Sequence, residues 1–232
     1  MARITRKELK TDRFALEVEH TVSFFEHHQK ELIRYGAAGV GVLLLIFGYS
    51  WYSRHQHAAR EEMLAKAIQI QESPVGPNPG GGQSFPTQDA KDEVALKAFG
   101  DLLSKYSGSE EGEIAEYYLG AIKADQGKLA EAEKNFKEVA DHGDSKYASL
   151  SKFSLAQIYF ADGRDAAGEK TLRDLMDHPT IYISKEQATI SLAHFIARKN
   201  PVEARKLLEP LRSQQGAIGQ SAIQVLGELP PQ

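Results

Sequence analysis

Histidines and paired carboxylates are the residues of this chain best suited to chemistry, as metal ligands or as general acids and bases. The eight histidines are His20, His27, His28, His55, His57, His142, His178 and His194. None stands four residues from another with a glutamate nearby, the spacing that binds zinc on one face of a helix. His55 and His57, two apart, would point to different sides of a helix. The histidines therefore predict no metal site.

The carboxylates offer no catalytic pair. Glu61–Glu62 and Glu110–Glu111 are adjacent, which aims their side chains apart instead of across a scissile bond. A phosphate loop, a G-x-S-x-G elbow and a dinucleotide fingerprint are missing from the sequence. With no cysteine, disulfides and metal-thiolate sites are excluded. We predict a protein that is not an enzyme and uses neither a cofactor nor a small-molecule substrate.

One uncharged run stands out in a chain whose mean hydropathy is only -0.42. It covers residues 35–53, with Tyr35 at one end and Tyr49, Trp51 and Tyr52 at the other. As a helix it would rise about 28 Å, close to the thickness of a bilayer core, with aromatic rings at both interfaces. A cleaved signal peptide would have a shorter apolar run nearer to Met1. The run therefore predicts a single transmembrane helix over residues 35–53.

Basic residues predict the orientation of this span. Seven Lys and Arg precede it and three lie within about twenty residues after it. We therefore expect residues 1–34 to form a cytoplasmic tail and the rest to be exported. The tail has seven bases and six acids, so the remaining 21 bases and 26 acids give the exported part a net charge of -5. That charge argues against nucleic acid as a partner.

The exported part repeats itself. Landmarks of the stretch 115–136 recur after 36 residues in the stretch 151–172, and a third copy runs from residue 189 to 208. Each copy predicts two amphipathic helices joined by a short turn, with a glycine at Gly127 and Gly163. Small residues at matched positions would let the paired helices approach closely: Gly120, Ala156 and Ala193 on the first helices, Ala132, Gly168 and Ala204 on the second. The period and these positions match the tetratricopeptide repeat.

The fold class that follows is all-α, a single transmembrane helix followed by a short tetratricopeptide-repeat-like α-solenoid. Residues 54–72 are predicted to continue the membrane helix into the exported domain. Residues 73–86 are rich in proline and glycine, which predicts a mobile loop. Residues 87–232 hold the repeats, closed by a capping helix around 217–226.

In such an array the first helix of each pair lines the concave side, where aromatic and polar side chains suit a peptide ligand. The repeat frame places ten residues there: Tyr117, Ala121, Asp125, Phe153, Gln157, Phe160, Gln187, Ile190, His194 and Arg198. Two outcomes are open. Either this surface is an open groove, or the last helix folds back and buries Tyr117, Phe153 and Phe160 as core.

Small residues also mark one face of the predicted span. Ala37, Gly41 and Gly48 share a helical face and would admit a second membrane helix at short distance. This face is our candidate for packing against a membrane partner.

Several stretches around the span resemble one bacterial family. They are Phe24-Phe25-Glu26, Lys30-Glu31-Leu32, the glycine-rich span ending at Tyr52, and Arg54-His55-Gln56 leading into an alanine-rich helix. Together they resemble the YfgM-like family of single-pass tetratricopeptide-like ancillary subunits of the Sec translocon. The loop from Ser73 to Pro86 and the tail before Thr21 are longer than that family needs.

The resemblance implies an adaptor in the bacterial inner membrane, with its N-terminus in the cytoplasm and its C-terminal domain in the periplasm. Its partners would be translocon subunits, secretory clients or periplasmic chaperones, with lipid contacted only through the span. Two other functions stay open on the residues alone. One is a structural accessory subunit of a different inner-membrane complex, and the other a scaffold for cell-envelope or division enzymes.

Overall fold

The computed structural model describes residues 34–35, 37–48, 51, 56–77 and 80–230. The chain divides into two compact units, Met1–Ala58 and Ala59–Gln232. The predicted cytoplasmic tail lies outside the described residues except for Arg34. So do His20, His27, His28 and His55, the tail segments that carry the family resemblance, and Tyr49 and Tyr52.

In the first unit the described residues are all helical, at 34–35, 37–48, 51 and 56–58. Their large apolar side chains are exposed throughout, from Tyr35 to Trp51. Among the described residues no helix has both the length and the apolar character needed to cross a bilayer. Part of the predicted span, including Gly36 and residues 49–50 and 52–53, lies outside those residues, so the span and its continuation into residue 54 stay predictions.

The second unit is built from helices. Residues 59–72 are helical and are called α1 here. The helices that follow are α2 (Gln88–Tyr106), α3 (Glu110–Asp125), α4 (Leu129–His142), α5 (Ser145–Ala161), α6 (Asp165–Asp177), α7 (Lys185–Ile196), α8 (Pro201–Leu208) and α9 (Ala217–Glu228), with a 3₁₀ turn at Glu209–Leu211 before the last. The described part has no strand, only an isolated bridge between Val75 and Phe85. The all-α, tetratricopeptide-like solenoid is confirmed.

Local sequence sets the helix ends. Side chains of Thr87, Ser109 and Ser184 each accept a hydrogen bond from a backbone N–H in the first turn of the helix that follows, which replaces a partner that the helix itself lacks. The turns between α3 and α4 and between α5 and α6 contain Gly127 and Gly163 at φ +73° and +75°. Only glycine adopts this left-handed conformation at little cost, so these two residues let the helical hairpins close.

Consecutive helices pack along the chain and bury a core in three clusters. The first joins α1, α2 and α3 around Ala67, Phe99 and Ile122. The second joins α4 and α5 around Phe136 and Ile158, with residues of α3 packed against it. The third runs from α5 to α9. The predicted cap, α9, packs against α7, α8 and the 3₁₀ turn, where Ala222 and Val225 are buried.

The proline- and glycine-rich loop between α1 and α2 is closed at its base. The backbone N–H of Gly76 donates to the carbonyl of Phe85 at 2.8 Å, and that of Phe85 donates to the carbonyl of Pro74 at 3.1 Å. Phe85 itself is buried. The Lys91 ammonium also donates to the carbonyl of Gln71 at 3.1 Å, which ties the start of α2 to the end of α1.

Polar contacts join neighbouring hairpins near the turns of the repeats. A side chain at or beside the turn after α3, α5 or α7 contacts a carboxylate on α2, α4 or α6, respectively, which is the second helix of the preceding hairpin. Gln126 donates to Asp92 at 3.2 Å, Arg164 donates to Glu133 at 2.7 and 2.9 Å, and Lys199 pairs with Asp165. These contacts, called the joints below, were not predicted from the sequence.

Candidate functional site

Four of the ten residues predicted for the concave surface line one cavity. Ala121 and Asp125 of α3 and Gln157 and Phe160 of α5 border a space of about 560 Å³. The remaining lining side chains come from α3, α4, α5 and α7: Ala124, Leu129, Phe136, Ser154, Ile158, Ala161 and Phe195. This space is called the groove below.

Aromatic rings form much of the apolar lining. Phe160 and Phe195 stack in parallel with their ring centres 4.2 Å apart, which joins α5 to α7. Phe136 of α4 is almost fully buried and Ile158 of α5 is buried beside it. Offset-stacked rings of this kind contribute beyond the area they bury. The groove therefore has a firm apolar lining.

Two glycines make room for these rings. A Cβ atom at Gly120 would lie 2.9 Å from Cε1 of Phe136, and one at Gly168 would lie 2.7 Å from Cε2 of Phe160. Both distances are too short for a carbon–carbon contact. The small residues that the sequence analysis assigned to close helix approach thus accept the flat faces of aromatic side chains, and this contact sets where the groove's rings lie.

Polar groups surround the groove. The Asp125 carboxylate is exposed and has no hydrogen bond or ion pair with any described side chain. Gln157 is likewise exposed. Burial raises the pKa of Tyr117, which packs beside the groove. Asp125 and Gln157 are thus available to a ligand.

A second cavity of about 490 Å³ shares Phe195 with the groove. It is lined by His194, Phe195, Ala197, Arg198 and Glu228. The Nδ1 atom of His194 lies 3.7 Å from a carboxylate oxygen of Glu228 on the capping helix α9. Two more predicted residues, His194 and Arg198, therefore face this cavity. Phe195 lies between the two cavities and lines both.

The other four predicted residues line neither of these cavities. Tyr117 packs beside the second core cluster, and Phe153 and Ile190 pack half-buried against the third. Gln187 is exposed on α7. Phe160 borders the groove and also packs half-buried against the third cluster, as Phe153 does. The choice between an open groove and a buried core at this surface therefore stays a prediction.

Sequence reasoning missed Phe195, which borders both cavities. Aligning the first helices on Leu119, Leu155 and Leu192 puts Phe195 at the position of Ile122 and Ile158. Those two residues are buried, so the repeat frame assigns the position to the core. The signal that was available is the residue type, because a phenylalanine replaces isoleucine in one copy.

The candidate membrane-packing face lies in the first unit. Ala37, Gly41 and Gly48 are helical and exposed, and a Cβ atom at either glycine would meet nothing within 4 Å. In the part of the chain that the structure describes, no group of three His, Asp or Glu residues is placed to hold a metal ion.

The stacked helical hairpins, the turn glycines and the concave cavities define a helical-repeat protein of the interaction type. The family model described as a tetratricopeptide repeat-like domain matches residues 23–206. The chain belongs to this family. No curated protein and no solved structure matches it. Tetratricopeptide repeat-like domains are typically non-catalytic modules that bind other proteins, so the chain is assigned to protein–protein interaction.

Proposed function

We propose that this chain is a membrane-anchored adaptor that binds polypeptide segments in the groove. The observation that carries the proposal is the open apolar cavity of about 560 Å³ bordered by Phe136, Phe160 and Phe195. Burial of an apolar side chain against these rings supplies affinity, and Asp125 and Gln157 supply polar contacts that fix register.

The proposed anchor is the helix over residues 35–53. Its support is the uncharged sequence together with the exposed apolar side chains of its described part, among them Leu43, Leu45 and Phe47. Water disfavours such a surface, and a bilayer or a partner helix covers it. The small-residue face at Ala37, Gly41 and Gly48 is proposed as the contact with a membrane partner.

The resemblance to the YfgM-like family supports a finer proposal. The protein sits in the bacterial inner membrane with residues 54–232 in the periplasm, beside the Sec translocon, and brings emerging chains together with periplasmic chaperones. A client that is still unfolded loses conformational entropy on binding, which keeps its affinity low and its release fast. A groove that captures single apolar side chains suits such transient contacts.

Site-specific photocrosslinking in intact cells tests the proposal. One photoreactive residue replaces Gln157 at the groove, a second replaces Gly41 in the proposed span, and a control replaces Lys134, which is exposed on α4. We expect Gln157 to capture secretory chains or a chaperone, Gly41 to capture a translocon subunit, and Lys134 to capture neither.

Phe195→Ala provides the matched variant, because it removes one ring of the lining. Adducts at Gln157 should decrease with this substitution while those at Gly41 persist. If Gln157 and Lys134 give the same adducts, the groove is not a client site. If Gly41 captures a different membrane complex, the protein is an accessory subunit of that complex and the translocon proposal is wrong.

A further inference from the structure

A chain of aromatic rings crosses the hairpins and touches the groove only through Tyr117, whose ring centre lies 5.6 Å from that of Phe136. Tyr118 stacks on Phe99 of α2 at 4.8 Å, and Tyr117 lies 5.7 Å from Tyr118 and 5.5 Å from Tyr147 of α5. Tyr147 in turn lies 5.7 Å from Tyr182, in the segment between α6 and α7. Three of these residues, Tyr118, Tyr147 and Tyr182, are partly exposed and are called the tyrosine patch.

Two carboxylates, Glu72 and Glu110, affect the tyrosines of the patch. Burial, with smaller contributions from the neighbouring tyrosines and Glu110, raises the pKa of Tyr147 to about 12. Burial also raises the pKa of Tyr118, with Glu72 as the next cause. In the described part of the chain, no cation is one of the main influences on either pKa. Within the described residues, neither Glu72 nor Glu110 has a hydrogen bond or an ion pair.

Other tyrosines of the chain already hold cations. Lys105 Nζ lies 5.0 Å from the ring centre of Tyr106, and the Arg164 guanidinium lies 4.5 Å from that of Tyr159. In the described part of the chain no Lys or Arg lies over a ring of the tyrosine patch. Ring faces attract cations, so the patch offers an attraction that the chain itself does not use.

We propose that the tyrosine patch, together with Glu72 and Glu110, binds an arginine or lysine side chain of a partner polypeptide. The rings receive the cation, the two carboxylates attract it, and the 82% exposed Ile181 beside Tyr182 offers apolar surface to its aliphatic stem. The partner is therefore a basic polypeptide segment. This site is separate from the groove, so it does not depend on the function proposed above.

Binding of labelled peptides to the purified full-length chain tests this site. The probe is a short Gly/Ser peptide with two arginines, and the matched peptide carries citrulline, which has nearly the same shape without the charge. Fluorescence anisotropy at low salt gives both affinities. We expect the arginine peptide to bind at least fivefold more tightly than the citrulline peptide, and the difference to shrink as salt screens the carboxylates.

Variants of the patch identify the groups responsible. Tyr182→Leu should weaken arginine-peptide binding about two- to fivefold, the size of one exposed cation–π contact, whereas Tyr182→Phe, which keeps the ring, should not. Glu110→Gln should weaken binding of the arginine peptide. Glu138→Gln, the same charge change at an exposed residue of α4, should leave binding unchanged.

Circular dichroism establishes that each variant is folded. Equal binding of the two peptides, or arginine-peptide binding that Tyr182→Leu and Glu110→Gln leave intact, would overturn the site. Neither result bears on the crosslinks expected at Gln157, so failure of the patch and failure of the groove can be told apart.

Discussion

Glu133→Gln should destabilise the joint between the second and third hairpins. The Glu133 carboxylate accepts two hydrogen bonds from the Arg164 guanidinium, at 2.7 and 2.9 Å, and lies 2.7 Å from Lys137. Arg164 also donates to Asp162 and lies over the ring of Tyr159, so its position is well defined. The amide keeps the shape of the side chain but loses the charge and one acceptor.

The size of the effect follows from the pKa of Glu133. Hydrogen bonding to Arg164 lowers this pKa from 4.5 to about 2. Such a change corresponds to at most about 3.5 kcal/mol, since a shift of one pKa unit is about 1.4 kcal/mol. Because the Arg164 side chain is 41% exposed, water screens the pair. We therefore expect a loss of about 1 kcal/mol, which lowers Tm by about 2–4 °C in a domain of this size.

The pH dependence of the stability loss distinguishes the loss of this ion pair from a packing defect. A carboxylate with a lowered folded-state pKa contributes fully above its unfolded pKa, here about 4.5, and its contribution disappears as pH falls toward about 2. Denaturant unfolding of the wild type and Glu133→Gln should therefore give free energies that differ by about 1 kcal/mol at pH 7 and converge below about pH 4.5.

Glu138→Gln is the matched control, because Glu138 lies one turn further on α4 and is 60% exposed. It should change the free energy of unfolding by less than about 0.5 kcal/mol. The reasoning would be refuted if the two variants lost the same stability at pH 7, or if the loss at Glu133 persisted unchanged at pH 3.

Three further substitutions probe buried and capping positions, and a fourth, in open space, is a control; each is measured by thermal unfolding. Ser109→Ala removes the N-cap of α3 and should cost about 1 kcal/mol; no change would mean that the cap is dispensable. Ser151→Ala should raise Tm, because its fully buried hydroxyl has no hydrogen-bond partner in the described structure and alanine favours the helix; a lower Tm would reveal a hidden partner. Gly168→Ala should cost about 1–3 kcal/mol because the new methyl group meets Phe160. Gly100→Ala, in open space on α2, should instead stabilise by up to about 1 kcal/mol, and the same sign at both glycines would contradict the contact with Phe160.

The solenoid is predictable from sequence because its signals are local. The 36-residue recurrence, the glycines at Gly127 and Gly163, and the Ser/Thr caps each determine structure within a few residues of themselves. Small residues at fixed positions then determine which helix faces meet. The order and pairing of the helices follow from these signals without knowledge of any long-range contact.

The candidate sites are less predictable because they depend on contacts between repeats. Asp92 and Gln126 meet across 34 residues, and nothing near either residue in the sequence marks them as partners. Phe195 escaped notice because it occupies a position whose equivalents, Ile122 and Ile158, are buried in the preceding copies. Tyr182 lies outside the helices, so the repeat frame does not place it. Each of these residues requires the three-dimensional arrangement of neighbouring hairpins.

The residues that follow the repeat pattern and the residues that depart from it have different roles in this chain. Landmark residues such as Gly120, Ala132 and Gly168 pack one helix against another, and the matched positions in the other copies also carry small residues. Residues that depart from the frame carry what is specific to this chain. Phe195 replaces an isoleucine and borders both cavities, and Tyr182 extends the row of rings beyond the helices. Substituting Tyr182, which lies outside the helices, should therefore change partner binding with little loss of fold. Substituting Phe195, which stacks on Phe160 and packs against the third core cluster, should lower both binding and stability, as substituting a landmark residue should.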